Sequence, residues 1–237
     1  MKYSALIPVK ALDLAKSRLA PHLSPQQRVR LVLDMLQHVV QMLHKSEVFE
    51  QVFVVSADSR VLELVQGWGA QPLRETQQGH NPALQEAAHT ILEATTTWQH
   101  DAWTIHRTQG RLEREQAENV GHLLQNMGLL TISADLPLLA QEDIFALLQA
   151  TEHAQVVLAG SSDGTGTNAL LTRPPLALPY LFGPNSLPAY IQAAQTRNLS
   201  YALLRNAHLA LDIDTPNDLE KLECSDSNWF NIARFAI

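Results

Sequence analysis

The sequence is poor in features that define several large classes of protein, beginning with cysteine. Its 237 residues contain a single cysteine, Cys224, so no disulfide can form within the chain, which suits a reducing compartment. No apolar run approaches the length of a membrane span. The N-terminal residues lead into a short apolar run that ends at Pro8, unlike the longer apolar core of a signal peptide. These absences predict a soluble cytoplasmic protein without a membrane partner.

Positive charge and familiar nucleotide-binding motifs are also scarce. Lysine and arginine number 17 against 24 aspartate and glutamate residues, which gives a formal net charge of −7. Nucleic-acid-binding proteins usually present a basic face, so this balance argues against a nucleic-acid partner, although it still allows a local cationic pocket for a nucleotide. The sequence contains neither G-x-G-x-x-G nor G-K-[ST], and therefore supports neither a Rossmann dinucleotide site nor a Walker P-loop.

What the sequence does contain is an alternation of short apolar runs and longer amphipathic segments. The predicted strands are 5–9, 52–56, 70–74, 129–135, 156–159, 169–172, 201–204 and 209–214. The predicted helices begin near the capping residues Ser24, Asp58, Asn81, Ser186 and Thr215. We therefore predict an α/β fold, a single Rossmann-like domain over 1–237 with a central, mostly parallel mixed sheet flanked by helices. A polar segment at about 95–126 is interpreted as a surface insertion.

Asp135 stands where a buried apolar strand is predicted to end, two residues before Pro137. A parallel strand that presents a carboxylate from its carboxyl end is the usual way in which an open α/β fold offers one to a ligand. Aspartate is a hard oxygen donor suited to Mg²⁺, which commonly bridges to phosphates. The alternative is that Asp135 only caps the turn before the helix near 141, and this residue alone does not decide between them.

Three cations, Lys10, Lys16 and Arg18, follow the first predicted strand. Lysine supplies compact charge and arginine a planar bidentate fork, and both match phosphate oxygens. The alternative is a solvated basic loop. The first strand-to-helix turn of an α/β sheet is where nucleotide phosphates tend to lie, which favours a phosphate-binding loop.

Two later segments have the composition of anion sites. The loop 161–168 combines glycines with hydroxyl side chains and could direct backbone N–H groups at an anion, although a plain hairpin has the same composition. Ser186 follows a Gly-Pro turn and is predicted to cap a helix, whose N-terminus would attract an anion. On local pattern alone, Asn81 is better explained as a helix cap before Pro82 than as a ligand contact.

Asp212 and Asp214 lie in the last predicted strand, and its alternation puts them on one face with Ile213 on the other. The helix that follows has Thr215 as its predicted cap and Pro216 in its first position. Capping therefore accounts for the residues after the strand, and it leaves both carboxylates unexplained.

Six blocks of residues occur in the same order as in one known family and span nearly the whole chain. They are 7–10 with 15–19, 73–75 with Asn81, 134–139, 166–170, 182–184 with Ser186, and 211–216. Together they resemble the 2-phospholactate or phosphoenolpyruvate guanylyltransferases of coenzyme F420 biosynthesis. That resemblance implies a glycosyltransferase-A-like nucleotidyltransferase fold.

The resemblance also implies an activity and a set of site residues. The protein would be a Mg²⁺-dependent guanylyltransferase that moves GMP from GTP to a phosphorylated carboxylic acid and releases pyrophosphate. The acid would be phosphoenolpyruvate, 2-phospho-L-lactate or 3-phosphoglycerate. The residues implied to hold the GTP phosphates are Lys10, Lys16 and Arg18, with Asn81 near the guanine or ribose. The implied catalytic residues are Lys10, Arg18 and Asp135. The implied Mg²⁺ ligands are Asp135 with Asp212 or Asp214, and the implied acceptor ligands are Thr167, Gly183 and Ser186.

The sequence departs from the family pattern at two places. One is the insertion at 95–126, which leaves the oligomeric state open, with a homodimer as one arrangement. The other is the pair His80 and Pro82, which flank Asn81 where small or apolar residues are expected and which bear on nucleobase choice. Two rival interpretations are a nucleotidyltransferase for molybdopterin or a sugar phosphate, and a non-catalytic nucleotide-binding protein. The first rival typically begins with an L-A-G-G-x-G-x-R-like loop, where this chain has Pro8-Val9-Lys10.

Overall fold

The computed structural model describes residues 2–103 and 126–225. The strands of this part are β1 (Lys2–Val9), β2 (Phe49–Ser56), β3 (Gln71–Arg74), β4 (Met127–Ile132), β5 (Val156–Gly160), β6 (Thr167–Thr172) and β7 (Tyr201–Leu204). Its helices are α1 (Pro25–Lys45), α2 (Ser59–Gly67), α3 (His80–Trp103), α4 (Gln141–Ala150), α5 (Ser186–Thr196), α6 (Ala207–Ala210) and α7 (Pro216–Cys224). Two short 3-10 turns, Leu12–Leu14 and Ser17–Leu19, lie between β1 and α1.

The described strands form one sheet in the order β3-β2-β1-β4-β6-β5-β7. β6 runs antiparallel to its neighbours β4 and β5, and the other neighbouring pairs are parallel. This topology confirms the predicted mixed, mostly parallel sheet. It also has a consequence for the site, because the beginning of β6 lies at the same edge of the sheet as the ends of β1 and β4.

Alternating apolar side chains on the strands build a core on each face of the sheet. In β1, Ala5 and Ile7 pack on the face covered by α1, α2 and α4, whereas Leu6 packs on the face covered by α3 and α5. All three side chains are fully buried. Successive residues of a strand point to opposite faces, so a central strand covered on both sides needs a continuous apolar run.

A third, smaller apolar cluster lies outside the two sheet-face cores. Its buried members are Leu19, Leu31, Met35, Leu211, Ile213 and Leu222. They come from the end of the first loop, from α1, from the segment that leads into α7, and from α7 itself. This cluster therefore fixes the first loop and the segment 211–215 against the same helix.

Several predicted helix starts are confirmed by capping contacts. The Ser24 hydroxyl accepts from the Gln27 backbone N–H at 3.3 Å, and the Gln27 side chain accepts from the Ser24 N–H at 2.7 Å. Asp58 caps α2 by accepting from the Arg60 N–H at 3.0 Å. Thr215 caps α7, and its backbone N–H donates to the Asp218 carboxylate at 2.9 Å. These bonds satisfy donors that the first turn of a helix leaves unpaired.

Two predicted caps are wrong by one or two positions. α3 begins at His80, so Asn81 lies inside its first turn rather than before it. α5 has Asn185 as its cap, in the left-handed conformation with φ 56°, and Ser186 is its first helical residue. In both cases the polar side chain bonds to another part of the chain, which removes it from the capping role.

The predicted strand at 209–214 is also wrong. Residues 207–210 form α6, because the Asn206 side chain caps it by accepting from the N–H groups of His208 and Leu209 at 2.8 and 3.1 Å. Residues 211–214, which follow α6, belong to no strand of the described chain. The predicted alternation is nevertheless present, since Leu211 and Ile213 are buried while Asp212 and Asp214 are partly exposed.

The proposed insertion lies largely outside the described residues. α3 continues to Trp103, past the predicted start of the insertion at about 95, and 104–125 are not described. Among the described helices, none combines the length and the apolar character needed to cross a membrane.

Candidate active site

The candidate site is a cleft of about 900 Å³ at the edge of the sheet where β1 and β4 end and β6 begins. Ligands of open α/β sheets bind outside the carboxyl ends of the parallel strands. The residues proposed from the sequence that line this cleft are Lys10, Lys16, Arg18, Asp135, Thr167, Gly183, Ser186, Asp212 and Asp214. Asn81 is the proposed site residue that does not line it.

Lys16 lies at the centre of the charged side of the cleft. Its Nζ donates to Asp135 Oδ2 at 2.5 Å and to Asp214 Oδ1 at 2.8 Å. The Lys16 side chain is only 8% exposed, so this ammonium group is held between the two carboxylates rather than directed into solvent. The contact of Lys16 with the GTP phosphates, implied by the resemblance, stays a prediction. In the structure, Lys16 joins the first loop to two distant acidic segments.

The backbone of Lys16 supports the same conclusion. It has φ 51° and ψ 41°, the left-handed region that L-residues with a side chain rarely adopt. Such a conformation costs about 1–2 kcal/mol. The bonds to Asp135 and Asp214 offset that cost and fix the direction of the side chain. The residue in the N-cap position of α4 is Ala140, so Asp135 does not cap that helix.

The same contacts set the charge of these groups. Burial alone would lower the pKa of Lys16, but Asp135 and Asp214 outweigh it and raise that pKa above its ordinary value. Burial acts to raise the pKa of Asp214, but Lys16, Arg18 and Lys10 outweigh it and hold that pKa below its usual range. Lys16 and Asp214 are thus a charged pair at neutral pH.

Asp212 is in a different state from Asp214. Burial, and then the charge of Asp135, raise the pKa of Asp212. Its Oδ1 accepts a hydrogen bond from Asn168 Nδ2 at 3.0 Å, and no cationic side chain pairs with it among the residues of 2–103 and 126–225. A carboxylate that is repelled by its neighbour and lacks a cation is suited to binding one.

The acidic side chains do not form a complete metal cage by themselves. Within the described ranges, no three histidine, cysteine, aspartate or glutamate side chains converge on a point that could hold a metal. Mg²⁺ commonly uses only one or two carboxylates and takes its other ligands from water and substrate phosphates. The oxygen donors of Asp135 and Asp212, at the edge of a cleft, fit that chemistry.

Lys10 and Arg18 are the exposed cations that the first loop contributes to the cleft. The Arg18 side chain is 73% exposed, and its Nη1 lies 4.0 Å from Asp214 Oδ2. Lys10 is exposed and makes no ion pair within the described chain. Both side chains are therefore free to contact an anion in the cleft, in contrast to Lys16.

The first loop is tied to the sheet by Asp58, a residue that the sequence analysis treated only as a helix cap. Its Oδ2 accepts from the Leu12 backbone N–H at 3.0 Å, across 46 residues of sequence. Arg60 donates to the same carboxylate and also to Asp13 Oδ1 at 3.0 Å. Asp58 thus anchors the 3-10 turn that precedes Lys16. The sequence contains no local signal for that contact.

Neutral hydroxyl groups line the opposite wall of the cleft. Ser186 Oγ donates to Thr167 Oγ1 at 3.1 Å, and both residues are buried, with 1% and 6% of their surface exposed. Because Thr167 accepts that bond, its own hydroxyl hydrogen can be directed to a ligand oxygen. The structure therefore brings together two of the three predicted acceptor ligands.

The third predicted ligand, Gly183, lies in a turn that is held from behind by Asn81. The φ of Gly183 is 135°, a value that favours glycine, so any side chain there would be strained. The Asn81 side chain bonds twice to the main chain of Phe182: Nδ2 donates to its O at 2.9 Å, and Oδ1 accepts from its N–H at 2.9 Å. Asn81 therefore positions the turn, and its proximity to a nucleotide stays a prediction.

The predicted anion sites of the loop 161–168 and of the α5 N-terminus are already occupied by internal contacts. Asp163 accepts from the Ser161 hydroxyl at 2.6 Å and from the Thr165 N–H at 2.9 Å, and these bonds hold the pKa of Asp163 at about 2. At the start of α5, the N–H groups of Ser186 and Leu187 bond to the carbonyls of Gly183 and Thr165. The N–H groups of Thr165, Ser186 and Leu187 are therefore already bonded and are not available to an anion.

Comparison with known proteins identifies the family. A sequence profile described as "Guanylyl transferase CofC like" matches residues 3–97 and 111–228. The chain belongs to the CofC-like guanylyltransferase family. The match covers the loop after β1 as well as both acidic segments, which confirms the resemblance inferred from the six blocks.

Individual relatives of this CofC-like chain carry three different names. It is 38% identical over 226 residues to the phosphoenolpyruvate guanylyltransferase of Rubrobacter xylanophilus, over 95% of each chain. It is 31% identical to the 3-phospho-D-glycerate guanylyltransferase of Colwellia psychrerythraea, over 94% of this chain and 91% of that one. It is 30% identical to the 2-phospho-L-lactate guanylyltransferase of Methanothermobacter thermautotrophicus, over 94% and 84%.

Solved structures share the fold of this CofC-like chain at low sequence identity. A protein of Desulfovibrio desulfuricans G20 described as a nucleotide-diphospho-sugar transferase superposes with a TM-score of 0.69 at 14% identity, over 99% of this chain and 95% of that one. A CMP:2-keto-3-deoxy-manno-octonic acid synthetase bound to CTP superposes with a TM-score of 0.55 at 15% identity, over 94% and 97%. These likenesses confirm the predicted nucleotidyltransferase fold.

One residue of the CofC-like site was missed by the sequence analysis. Asn168 lies within a block that carried the resemblance, but no role was assigned to it. Its Nδ2 donates to the Leu209 carbonyl at 3.0 Å as well as to Asp212, so it positions the carboxylate segment. The only available signal was a buried amide beside a predicted ligand, Thr167, and such an amide needs bonding partners.

Proposed function

We propose that this chain transfers GMP from GTP to a three-carbon phosphorylated acid and releases pyrophosphate, in coenzyme F420 biosynthesis. One observation carries the proposal: Lys16 joins Asp135 and Asp214 at the edge of a cleft into which the cations Lys10 and Arg18 are exposed. Family membership supplies the class of reaction. The charged wall supplies the means to bring two phosphate groups together.

The reaction needs electrostatic help more than acid–base help. A phosphate oxygen of the acceptor attacks the α-phosphorus of GTP, the bond to the β-phosphate oxygen breaks, and pyrophosphate leaves. The attacking oxygen is already ionised near neutral pH, so no side chain has to remove a proton. The barrier arises largely from the approach of two anions, and positioned positive charge lowers it.

On the nucleotide side, Lys10 and Arg18 hold the phosphates of GTP. Both are exposed in the cleft, and arginine can pair two phosphate oxygens at once. Lys16 holds Asp135 and Asp214 in place through its two ion pairs, and it adds a buried positive charge to this side of the cleft. The catalytic residues of the proposal are Lys10, Arg18 and Asp135.

On the acceptor side, Thr167 and Ser186 bind the phosphate or carboxylate of the acid through their hydroxyl groups. The turn at Gly183 brings main-chain atoms close to the same ligand, because no side chain stands there. The short distance between the two hydroxyls, 3.1 Å, suits a compact anion such as a phosphate or carboxylate. The three names among the relatives all describe small phosphorylated acids of this kind.

We include Mg²⁺ in the proposal, with Asp135 and Asp212 as its protein ligands. When bound, Mg²⁺ neutralises phosphate charge and orients the triphosphate. Asp212 is preferred to Asp214, because Asp214 faces Lys16 through Oδ1 and Arg18 through Oδ2, whereas Asp212 has no cationic partner in the described chain. Asp135 pairs with Lys16 through Oδ2 alone among the described contacts. This choice narrows the pair of alternatives that the resemblance left open.

The proposal is tested by a screen for pyrophosphate release. GTP, CTP and ATP are each combined with phosphoenolpyruvate, 2-phospho-L-lactate and 3-phosphoglycerate, with and without Mg²⁺. We expect release from GTP with at least one acid, dependent on Mg²⁺ and abolished when the acid is omitted. A protein that binds GTP but releases no pyrophosphate in any combination would instead be a non-catalytic nucleotide-binding protein.

A substitution tests the acidic wall directly. Asp135→Asn keeps the shape of the side chain and removes its charge, so the variant should fold normally yet lose most of its turnover, about 100-fold or more. Asp34→Asn, at a surface ion pair on α1, is the matched control and should leave turnover unchanged. If Asp135→Asn retained activity near that of the unmodified protein, Asp135 would have no part in the metal site.

The cytoplasmic location and the homodimer stay predictions of the sequence. The oligomeric state is measurable by light scattering after size-exclusion chromatography, with and without GTP. A dimer would show a mass near twice the 26.3 kDa of one chain.

A further inference from the structure

A second, smaller cavity lies beside the main cleft, near the end of β3. Its volume is about 110 Å³, and it shares Pro8, Val9, Lys10 and His80 with the cleft, so the two spaces are adjacent. Pockets for complete small molecules usually measure about 300–1,000 Å³. The smaller cavity therefore suits one ring system of a ligand whose remainder lies in the cleft.

The walls of this cavity are mostly apolar. Pro8 and Val55 contribute from the sheet, and Ala83 and Leu84 contribute from the second turn of α3. Val55, Ala83 and Leu84 are buried, and so form a fixed surface. Apolar walls of this kind favour the face of a flat heterocycle, which has little polar character, over a phosphate or a sugar.

One acidic side chain, Glu75, lines the cavity. Its backbone N–H donates to the Ser56 carbonyl at 3.0 Å, which holds the residue beside β2. The residue is half-buried, yet its carboxylate makes no hydrogen bond or ion pair within the described ranges 2–103 and 126–225. A partly buried carboxylate without partners is costly unless a ligand supplies the donors.

The chemistry of the nucleobases identifies the matching ligand. Guanine presents two adjacent donors, N1–H and N2–H, on its Watson–Crick edge, whereas adenine and cytosine present a donor beside a ring-nitrogen acceptor. An ionised carboxylate only accepts, so it can pair with both guanine donors and is repelled by the ring nitrogen of the other bases. We propose that Glu75 reads the guanine base of GTP in this cavity, an inference that rests on the proposed function.

The neighbouring charges agree with this placement. Lys10 lies where the cavity meets the cleft, so a base beside Glu75 would have its phosphates near Lys10 and directed toward Arg18. Burial, and then the charge of Lys10, lower the pKa of His80, so the imidazole is neutral at pH 7 and places no second cation beside the base. Both polar ends of the Asn81 side chain are bonded to the main chain of Phe182, so this side chain is not available to the base. Glu75 is, by contrast, the acidic side chain that lines the cavity.

The test is the nucleotide preference of Glu75→Gln. A carboxamide offers one acceptor and one donor, which fits the edge of adenine and opposes one guanine donor. We expect the KM for GTP to rise about 10- to 100-fold with little change in kcat, because the base is bound equally in ground state and transition state. The ratio of kcat/KM for GTP to that for ATP should fall about 100-fold.

Inosine triphosphate, which lacks the N2 amino group, sharpens the measurement. The unmodified protein should discriminate against it, and Glu75→Gln should lose most of that discrimination. Glu63→Gln makes the same chemical change at an exposed position of α2 and should preserve every ratio. A ratio measured within one preparation does not depend on the fraction of active protein, so partial unfolding cannot imitate the result.

Two failures are distinguishable. If Glu75→Gln keeps the GTP:ATP and GTP:ITP preferences of the unmodified protein, the role of Glu75 is overturned while the proposed function stands. If the unmodified protein releases no pyrophosphate from GTP, the proposed function fails. Titration calorimetry with GTP, ITP and ATP then makes the same comparison without turnover: a preference for GTP that Glu75→Gln removes supports the role of Glu75, and an unchanged preference overturns it.

Discussion

The two walls of the cleft are built in opposite ways. The proposed nucleotide wall is ionic: Lys16 is buried between Asp135 and Asp214, and Lys10 and Arg18 are exposed beside it. The proposed acceptor wall presents uncharged hydroxyls: Ser186 donates to Thr167, and the N–H groups of Ser186 and Leu187 bond to nearby carbonyls. The first wall is held in place by attraction between charges, and the second by hydrogen bonds between uncharged groups.

Each wall also depends on a polar side chain that lies outside the ligand space. Asp58 holds the first loop through the Leu12 N–H, and Asn81 holds the acceptor turn through Phe182. The comparison teaches that a cation in a ligand-binding cleft can stabilise the protein itself. Lys16 forms ion pairs with two carboxylates, whereas the exposed cations Lys10 and Arg18 remain accessible to a substrate.

The largest effect is expected when the ionic wall is broken at its centre. Lys16→Met removes the ammonium group between Asp135 and Asp214, and leaves Asp214 with Arg18 at 4.0 Å as its remaining ion pair in the described chain. We expect turnover to fall about 100- to 1,000-fold. Unfolding free energy should fall by about 1–3 kcal/mol, a value reduced from that of a fully buried pair because Asp214 is 46% exposed. Steady-state kinetics and chemical denaturation measure the two effects.

Arg18→Met is the matched comparison for that variant. Its side chain is 73% exposed, so stability should change by no more than about 0.5 kcal/mol while the KM for GTP rises. Equal decreases in unfolding free energy for Lys16→Met and Arg18→Met would contradict the distinction between a structural Lys16 and a substrate-facing Arg18.

A smaller effect is expected when the acceptor wall loses its support. Asn81→Ala removes two hydrogen bonds to Phe182, which should cost about 1–2 kcal/mol of stability. The KM for the acceptor acid should rise severalfold while the KM for GTP is unchanged, because the turn that moves carries Gly183. Gln77→Ala, an exposed residue before α3, is the control. A rise confined to the KM for GTP would instead put Asn81 beside the nucleotide.

The smallest effect concerns the support of the ionic wall, and it depends on pH. The hydrogen bond from Arg60, opposed by burial, holds the pKa of Asp58 at about 2, below its ordinary 3.8. A carboxyl whose pKa is lower in the folded state stabilises the fold above its ordinary pKa and loses that contribution as pH falls toward the folded value. Asp58→Asn should therefore cost about 1–2 kcal/mol at pH 7, and less between pH 4 and pH 2.

Chemical denaturation of the unmodified protein and of Asp58→Asn across this pH range measures the difference between their unfolding free energies. The titration of other groups affects both proteins alike and cancels in that difference. A gap between the two that is as wide at pH 2.5 as at pH 7 would contradict the contribution of the ionised Asp58.

Much of this molecule could be predicted because its local patterns are strong. Continuous apolar runs at β1 and β4 can satisfy their neighbours only inside a sheet covered on both faces, and Ser24 with Pro25 leaves little choice for the start of α1. Asp135 was placed correctly at the cleft because its strand has to end beside that of Lys10 in a parallel sheet.

The errors have physical causes that local patterns do not contain. Lys16 finds its partners 119 and 198 residues away, and Asn81 bonds across 101 residues, so neighbouring sequence could not reveal either contact. The strand predicted at 209–214 followed the alternation of Leu211 and Ile213 correctly and missed that Asn206 starts a helix just before it. Alternation reports which side chains are buried, and does not report whether a neighbouring strand is available.

The small apolar cluster outside the two sheet-face cores joins residues that are far apart in the sequence. Its buried members are Leu19, Leu31, Met35, Leu211, Ile213 and Leu222. Leu222 belongs to α7, and Leu19 directly follows Arg18. Removal of α7 would therefore weaken the apolar support of the loop that carries Arg18, and would also remove Asp218 and Lys221 from the lining of the cleft. α7 therefore helps to stabilise the first loop, although the two are about 200 residues apart in the sequence.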